Sequence, residues 1–108
     1  MKKHYLNRKE IKTLSELKSF VKSLDPMAKF MIFGSKVRGD YDEESDVDIL
    51  IILNKNIDQE MILKKVFNLN MKNETEVNPI IINRKKWTKK FWDTIPLLKV
   101  VQKEGVEF

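Results

Sequence analysis

Two aspartates, Asp46 and Asp48, stand one residue apart at the start of a strongly apolar run, Val47–Leu53. The run predicts a buried strand, and residues i and i+2 of a strand point to the same side of a sheet. The two carboxylates are therefore expected side by side at one edge of the sheet, where they repel each other unless a cation lies between them. Oxygen ligands of this kind suit Mg²⁺, so the pair predicts a magnesium site.

A short turn lies upstream of the two aspartates. Gly34 directly follows another apolar run, and its freedom to adopt positive φ lets the backbone approach a ligand closely. Ser35 is predicted to begin a single helical turn whose N–H groups and hydroxyl can hold phosphate oxygens. Arg38, one turn on, can direct its guanidinium at the same phosphates. A Walker A pattern is absent, but a phosphate-binding turn beside paired carboxylates predicts a site for a magnesium-bound nucleotide.

The composition excludes several other kinds of site. The 108 residues contain no cysteine and a single histidine, His4, so a disulfide framework, a thiolate nucleophile or a histidine metal cluster is not available. No apolar stretch approaches the roughly 18 residues of a membrane span, and no signal-peptide pattern is present, so a soluble, cytoplasmic protein without a membrane partner is expected. The net charge of +5 is better explained by solvated lysines on helix faces than by a nucleic-acid surface.

Periodicity and capping signals predict the elements that position these residues. Thr13 and Glu16 form a capping-box pattern that predicts the start of a first helix, which Asp25-Pro26 ends. The predicted strands are Ala28–Phe33, Val47–Leu53, Glu74–Ile82 and Val106–Phe108. Later helices are expected from Asn56 or Asp58 to about Leu69, from Asn83 through Phe91, and from Pro96 to Gly105. Pro79 lacks a backbone donor, which predicts that the third strand lies at a sheet edge or carries a bulge.

This order of elements predicts an α/β (α+β) fold, in which a small mixed β-sheet is backed by helices. It contains too few strand–helix–strand crossovers for a Rossmann sheet. No internal repeat or linker divides the chain, so residues 1–108 are expected to form a single domain.

Seven residues spaced as GSxxRGxxxxxSDxD resemble the signature of the minimal nucleotidyltransferases of the DNA polymerase β superfamily. They are Gly34, Ser35, Arg38, Gly39, Ser45, Asp46 and Asp48. A helix before the first strand, a third strand near residues 74–82 and a closing helix ending in KEGV also occur where that family has them. The resemblance implies the nucleotidyltransferase fold over most of the chain.

The resemblance also implies a role for each matching residue. Asp46 and Asp48 would hold one or two Mg²⁺ ions that bridge the phosphates of ATP, during in-line attack on the α-phosphorus with pyrophosphate leaving. Gly34 and Ser35 would hold the outer phosphates and Arg38 would neutralise their charge, while Ser45 belongs to the same nucleotide-binding set.

The chain departs from the family at the third carboxylate, which normally lies on the third strand. Asn78 occupies that position or one near it, and an amide oxygen is a weaker metal ligand than a carboxylate and cannot act as a base. Glu76, two residues earlier on the same strand face, could serve instead as metal ligand and catalytic base. Either Glu76 supplies this role or the site is partly degenerate.

The resemblance implies transfer of AMP from ATP to a protein side chain. Stand-alone members that resemble this chain often pair with a HEPN-family ribonuclease toxin, and the nucleotidyltransferase then acts as the antitoxin by adenylylating a tyrosine of the toxin. Because the chain is nearly all catalytic core, a partner or further subunits of the same chain are expected to complete the site. Two alternatives are a nucleotidyltransferase fold that neutralises its partner by binding alone, and an enzyme that modifies a small molecule.

Overall fold

The computed structural model describes residues 6–39, 46–86 and 89–108, and these residues form four strands of one mixed sheet with helices on both faces. The elements in chain order are α1 (Arg8–Leu24), β1 (Lys29–Phe33), α2 (Ser35–Arg38), β2 (Val47–Leu53), α3 (Gln59–Asn73), β3 (Val77–Asn83), a 3-10 turn (Arg84–Lys86), α4 (Lys89–Thr94), α5 (Pro96–Glu104) and β4 (Val106–Glu107). Helices α1 and α3 pack on one face of the sheet and α5 on the other. The predicted mixed sheet backed by helices is confirmed.

The strands lie in the order β3-β2-β1-β4. Strand β1 runs antiparallel to both β2 and β4, whereas β2 and β3 are parallel. Strand β2 is central and its apolar residues are buried on both faces, as its composition predicts. Strand β3 lies at an edge, which confirms the position predicted from Pro79.

Helix α1 begins at Arg8, so the predicted start at Thr13 is wrong. A capping box one turn and a half earlier starts the helix: the Oδ1 of Asn7 accepts from the Glu10 backbone N–H at 2.8 Å, and Glu10 Oε1 accepts from the Asn7 N–H at 2.9 Å. No helix breaker separates this box from Thr13, so the helix runs through it. The Thr13 side chain is buried instead and its hydroxyl lies 2.8 Å from that of Thr75.

Asp25 ends α1 as predicted and also fastens the end of β2. The side chain is buried, and its Oδ2 accepts from the backbone N–H groups of Asn54 at 2.6 Å and Lys55 at 2.9 Å. Its Oδ1 accepts from the Met27 N–H at 3.2 Å. One carboxylate thus joins the end of α1 to the turn that follows the central strand.

The connection from α3 fixes where β3 begins. Glu74 ends α3 in the left-handed region, with φ of 56°. The Asn70 side chain then accepts from the Val77 N–H and donates to the Val77 carbonyl, both at 3.0 Å. Because residues 74–76 form this turn, β3 begins at Val77 and not at Glu74 as predicted, and Asn78 lies beside Asp48 in the parallel pair.

The last third of the chain differs from the prediction in one respect. The basic segment predicted as one helix after Asn83 forms the 3-10 turn and then α4, and Asn83 Oδ1 caps the turn by accepting from the Lys85 N–H at 2.9 Å. Pro96 in the first turn of α5 and Gly105 at its end are both confirmed. Within the described ranges, no helix is long and apolar enough to cross a membrane.

Candidate functional site

The end of β1 and the start of β2 meet at one edge of the sheet because the two strands are antiparallel. Phe33, the last residue of β1, pairs with Asp48. Gly34 follows with φ of 88°, and a Cβ added at this glycine would lie 2.5 Å from Oδ2 of Asp48. A side chain at this position would have to displace the Asp48 carboxylate, so the turn and the carboxylate lie close together.

Ser35 begins the single turn of α2, as the sequence predicts. The backbone N–H groups of Val37 and Arg38 both donate to the Gly34 carbonyl at 3.1 Å, and Gly39 closes the turn in the left-handed region. Ser35 is half-buried and Arg38 is exposed. The turn therefore carries both predicted phosphate-binding residues directly after Gly34, the residue that adjoins Asp48.

Arg38 contacts an acidic residue that the sequence did not single out. Its Nη1 donates to Glu104 Oε1 at 3.1 Å, at the end of α5. The Arg38 charge also acts on Asp48. Glu104 lies in the last turn of a helix, where the helix dipole disfavours an acid, and this mismatch is the sequence signal that predicts a basic partner.

Asp46 and Asp48 lie close together, as predicted, but they differ in solvent exposure. Asp46 is exposed, whereas Asp48 is half-buried. Burial raises the pKa of Asp48, the charge of Asp46 raises it further, and Arg38 opposes both. The two carboxylates therefore repel each other in a partly desolvated site, as expected of a site that binds a cation.

The third strand brings an amide to these carboxylates. Asn78 pairs with Asp48 across the parallel strands, and its Nδ2 donates to Oδ2 of Asp46 at 2.8 Å. Asn78 thus occupies the position expected of the third carboxylate. The three side chains that the structure brings together are those of Asp46, Asp48 and Asn78.

Glu76 precedes β3 and is exposed, and its carbonyl accepts from the Val47 N–H at 2.9 Å. Among residues 6–39, 46–86 and 89–108, no group of three His, Cys, Asp or Glu side chains is arranged to hold a metal ion. The third-ligand role of Glu76 therefore stays a prediction. Ser45 and His4 lie outside the described residues.

The donors in this site fit a magnesium ion. Two carboxylates are hard oxygen ligands, and Mg²⁺ commonly takes one or two carboxylates while keeping several waters. The Asn78 amide would add its oxygen only by giving up the hydrogen bond that its nitrogen donates to Asp46. Burial and the charge of Asp46 raise the pKa of Asp48, and a divalent cation bound between the two carboxylates would relieve their repulsion.

A buried ion pair lies behind the turn and was not expected from the sequence. Lys36 Nζ lies 3.1 Å from Glu10 Oε2, and the two side chains are only 4% and 7% exposed. Lys36 stands between Ser35 and Val37, in a motif position that the sequence pattern leaves open. Its burial could not be read from composition, because lysine is almost always solvated.

A family model described as a nucleotidyltransferase domain matches residues 14–104 of the chain. A protein of Methanocaldococcus jannaschii assigned as a protein adenylyltransferase is 33% identical over 79 residues, which make up 68% of this chain and 80% of that protein.

Two solved structures are similar over most of the chain. A protein of Sulfolobus solfataricus assigned as a nucleotidyltransferase is 26% identical with a TM-score of 0.55, and the match covers 90% of this chain and 77% of that one. A toxin–antitoxin structure with AMP-PNP has a TM-score of 0.60 at 15% identity, and the match covers 94% of this chain and 72% of that one. Because the toxin–antitoxin structure is only 15% identical, its similarity to this chain shows a shared fold and nothing more.

Proposed function

The chain belongs to the nucleotidyltransferase domain family, and we propose that it transfers AMP from ATP to a side chain of a partner protein in a magnesium-dependent reaction. The observation that carries this proposal is the contact of Gly34 with Asp48, since a Cβ at Gly34 would lie 2.5 Å from the carboxylate. This contact puts the phosphate-binding turn and the two-aspartate pair within reach of one bound nucleotide.

The turn would bind the outer phosphates of ATP. The Gly34 backbone and the Ser35 hydroxyl are suited to phosphate oxygens, and Ser45 is expected to contribute from the other side of the motif. The positive charge of Arg38 acts on Asp48, and its guanidinium can form charge-assisted hydrogen bonds with phosphate. Together these groups would orient the α-phosphorus toward the acceptor.

Asp46 and Asp48 would hold one or two Mg²⁺ ions, with Asn78 or Glu76 as the third ligand. A divalent cation held by these residues would stabilise the charge that develops on the phosphate oxygens during in-line displacement of pyrophosphate. The acceptor hydroxyl must lose its proton to a base. Asn78 cannot accept a proton, so Glu76 or a group brought by the acceptor would do so.

Two observations support a protein acceptor. The relative from Methanocaldococcus jannaschii is assigned as a protein adenylyltransferase, and a fold neighbour is part of a toxin–antitoxin structure with AMP-PNP. Because the motif resembles that of family members that pair with HEPN toxins, we propose that the acceptor is a partner toxin of the HEPN family, for which this chain would be the antitoxin. ATP is the expected nucleotide.

A second candidate is an antitoxin of the same fold that acts by binding its partner without modifying it. The hydrogen bond from Asn78 to Asp46 favours this alternative, because it puts a neutral amide where a third carboxylate would strengthen metal binding. The two candidates differ in whether AMP becomes covalently attached to the partner.

A transfer assay separates them. The purified chain is incubated with Mg²⁺ and ATP labelled with ³²P at the α-phosphorus, alone and with the protein encoded beside it. We expect the wild type to label the neighbouring protein and Asp46→Asn to lose labelling. Asp93→Asn, the same change at an exposed acid of α4, should label normally. A stable complex of both forms with the neighbour, without any labelling, would instead establish the binding antitoxin.

A further inference from the structure

The Glu10–Lys36 ion pair is almost fully removed from solvent, with 3.1 Å between Nζ and Oε2. Burying two opposite charges costs desolvation energy that their attraction often fails to recover, and an apolar pair of similar volume is commonly as stable or more so. The stability of the fold alone therefore does not explain why a lysine and a glutamate are buried here.

The glutamate end of the pair is held rigidly. Glu10 uses one carboxylate oxygen to accept from the Asn7 N–H at 2.9 Å, and its own N–H donates to Asn7 Oδ1 at 2.8 Å. The other oxygen contacts Lys36. Because both oxygens are engaged and the backbone belongs to the first turn of α1, Glu10 offers Lys36 a fixed anchor.

The lysine end of the pair lies in an element that is not rigid by itself. Helix α2 has four residues, and a single helical turn is marginal in water without tertiary contacts. Its apolar anchor is Val37, which packs against the core from a partly buried position. An apolar contact allows a turn to rotate and slide, whereas an ion pair at hydrogen-bond distance fixes the direction of the side chain that makes it.

We propose that Glu10 and Lys36 are a positioning pair for the nucleotide-binding turn: the pair ties residue 36 to α1 and thereby fixes Ser35 and Arg38 relative to Asp48. Neither side chain contacts the nucleotide. This inference rests on the proposed function, because the turn it positions is the predicted phosphate site. If the pair positions the turn in this way, the first turn of α1 contributes to the affinity for the nucleotide without contacting it.

The double variant Glu10→Gln with Lys36→Met tests the pair without leaving a buried charge. Glutamine also serves at this position of a capping box, and methionine keeps most of the volume of the lysine stem. We expect a melting temperature equal to or above that of the wild type. We expect the dissociation constant for ATP with Mg²⁺ to rise about tenfold, because displacements near 1 Å can cost up to about a hundredfold at a positioned site.

A matched control is the pair that joins α1 to α3, Glu16 with Lys72. The variant Glu16→Gln with Lys72→Met makes the same chemical change away from the turn and should bind ATP with the wild-type dissociation constant. A purely structural role for Glu10 and Lys36 predicts unchanged ATP affinity, whatever the melting temperature of the variant. That result, measured by calorimetry well below the melting temperature, would overturn the proposal.

Backbone hydrogen exchange tests the same pair without nucleotide. Amides of residues 35–39 should exchange faster in the double variant than in the wild type, while those of β2 remain unchanged. Equal exchange at residues 35–39 would also overturn the proposal. If the wild type binds no ATP, the proposed function fails, and the exchange data still decide whether the pair orders the turn.

Discussion

The side-chain amide of Asn78 donates a hydrogen bond of 2.8 Å to Oδ2 of Asp46. Asn78 also pairs with Asp48 across the parallel strands, so the amide contacts one member of the aspartate pair and lies beside the other. The site therefore carries two negative charges where the family signature suggests three. Its affinity for a divalent cation should be correspondingly modest, and it should respond directly to the charge at this position.

Asn78→Asp should tighten Mn²⁺ binding by about tenfold, because affinity at such sites follows the number of charged ligands. Without metal the added carboxylate should lower the melting temperature through repulsion with Asp46 and Asp48. Titration of Mn²⁺ by electron paramagnetic resonance measures the first effect. Asn83→Asp adds the same charge about 16 Å along β3 and is the control; equal Mn²⁺ affinity in both variants would contradict a metal site at Asn78.

Gly34→Ala should destabilise the protein by about 1–3 kcal/mol and abolish nucleotide binding. Part of this loss of stability comes from the positive φ of residue 34, which is unfavourable for any residue with a side chain. The rest is the contact with Asp48, since the new Cβ would stand 2.5 Å from Oδ2. Chemical denaturation and ATP titration measure the two effects.

Gly39 separates these two causes. Its φ of +86° is nearly that of Gly34, but a Cβ there would meet nothing within 4 Å. Gly39→Ala should therefore cost only the backbone strain and bind ATP more tightly than Gly34→Ala does. If both variants bind ATP equally well, the contact between Gly34 and Asp48 has no part in the site.

Glu104→Gln should raise ATP affinity by roughly fivefold, since removing one charge near Arg38 corresponds to about 1 kcal/mol at water-like dielectric. Glutamine can still accept from the guanidinium, so Arg38 keeps its partner. The pair is partly exposed, and the melting temperature should change little. Calorimetric titration with ATP provides the test, and Glu60→Gln on α3 is the control. Weaker binding by Glu104→Gln would mean that the carboxylate orients Arg38 instead of competing with phosphate for it.

Asp25→Asn should cost about 1–3 kcal/mol near neutral pH, because the carboxylate accepts three backbone hydrogen bonds that a neutral amide cannot replace equally. Burial alone would raise the pKa of Asp25, but the hydrogen bonds from Lys55, Asn54 and Met27 outweigh it and hold the pKa below the ordinary 3.8.

The sign of the pH dependence follows from that lowered pKa. A carboxyl whose pKa is lower in the folded state contributes its full stability above the unfolded value and loses it as the pH falls through the folded value. The gap in unfolding free energy between wild type and Asp25→Asn should therefore shrink below about pH 4. Urea denaturation across this range measures it, and a gap independent of pH would contradict the assignment.

Most of the site could be predicted from local sequence because it is built from residues adjacent to strand ends. Asp46 and Asp48 stand at the start of a run whose apolar composition predicts a buried strand, and Gly34 follows the neighbouring strand directly. The partners of these residues could not be predicted. Glu104 and Glu10 reach the turn from elements 66 and 26 residues away in sequence, and only the packing of α5 and α1 brings them there.

The predicted boundaries of helices and strands were wrong where two sequence signals competed. Thr13-Glu16 and Asn7-Glu10 are both valid capping patterns, and nothing between them stops a helix, so the earlier one prevailed. At the other boundary, Asn70 supplied hydrogen bonds to Val77 that closed a turn over residues predicted as strand. In the first case the deciding capping box was itself a local pattern of the sequence, whereas in the second it was a side-chain hydrogen bond seven residues along the chain that the local pattern did not reveal.

Both edges of the sheet are poor templates for a further strand. At one edge β3 carries Pro79, which lacks a backbone donor, and at the other β4 is only two residues long. Short or proline-containing edges discourage pairing with a strand from another chain. Association with a partner protein should accordingly proceed through helix faces and loops, and the sheet should resist the edge-to-edge growth that leads to fibrils.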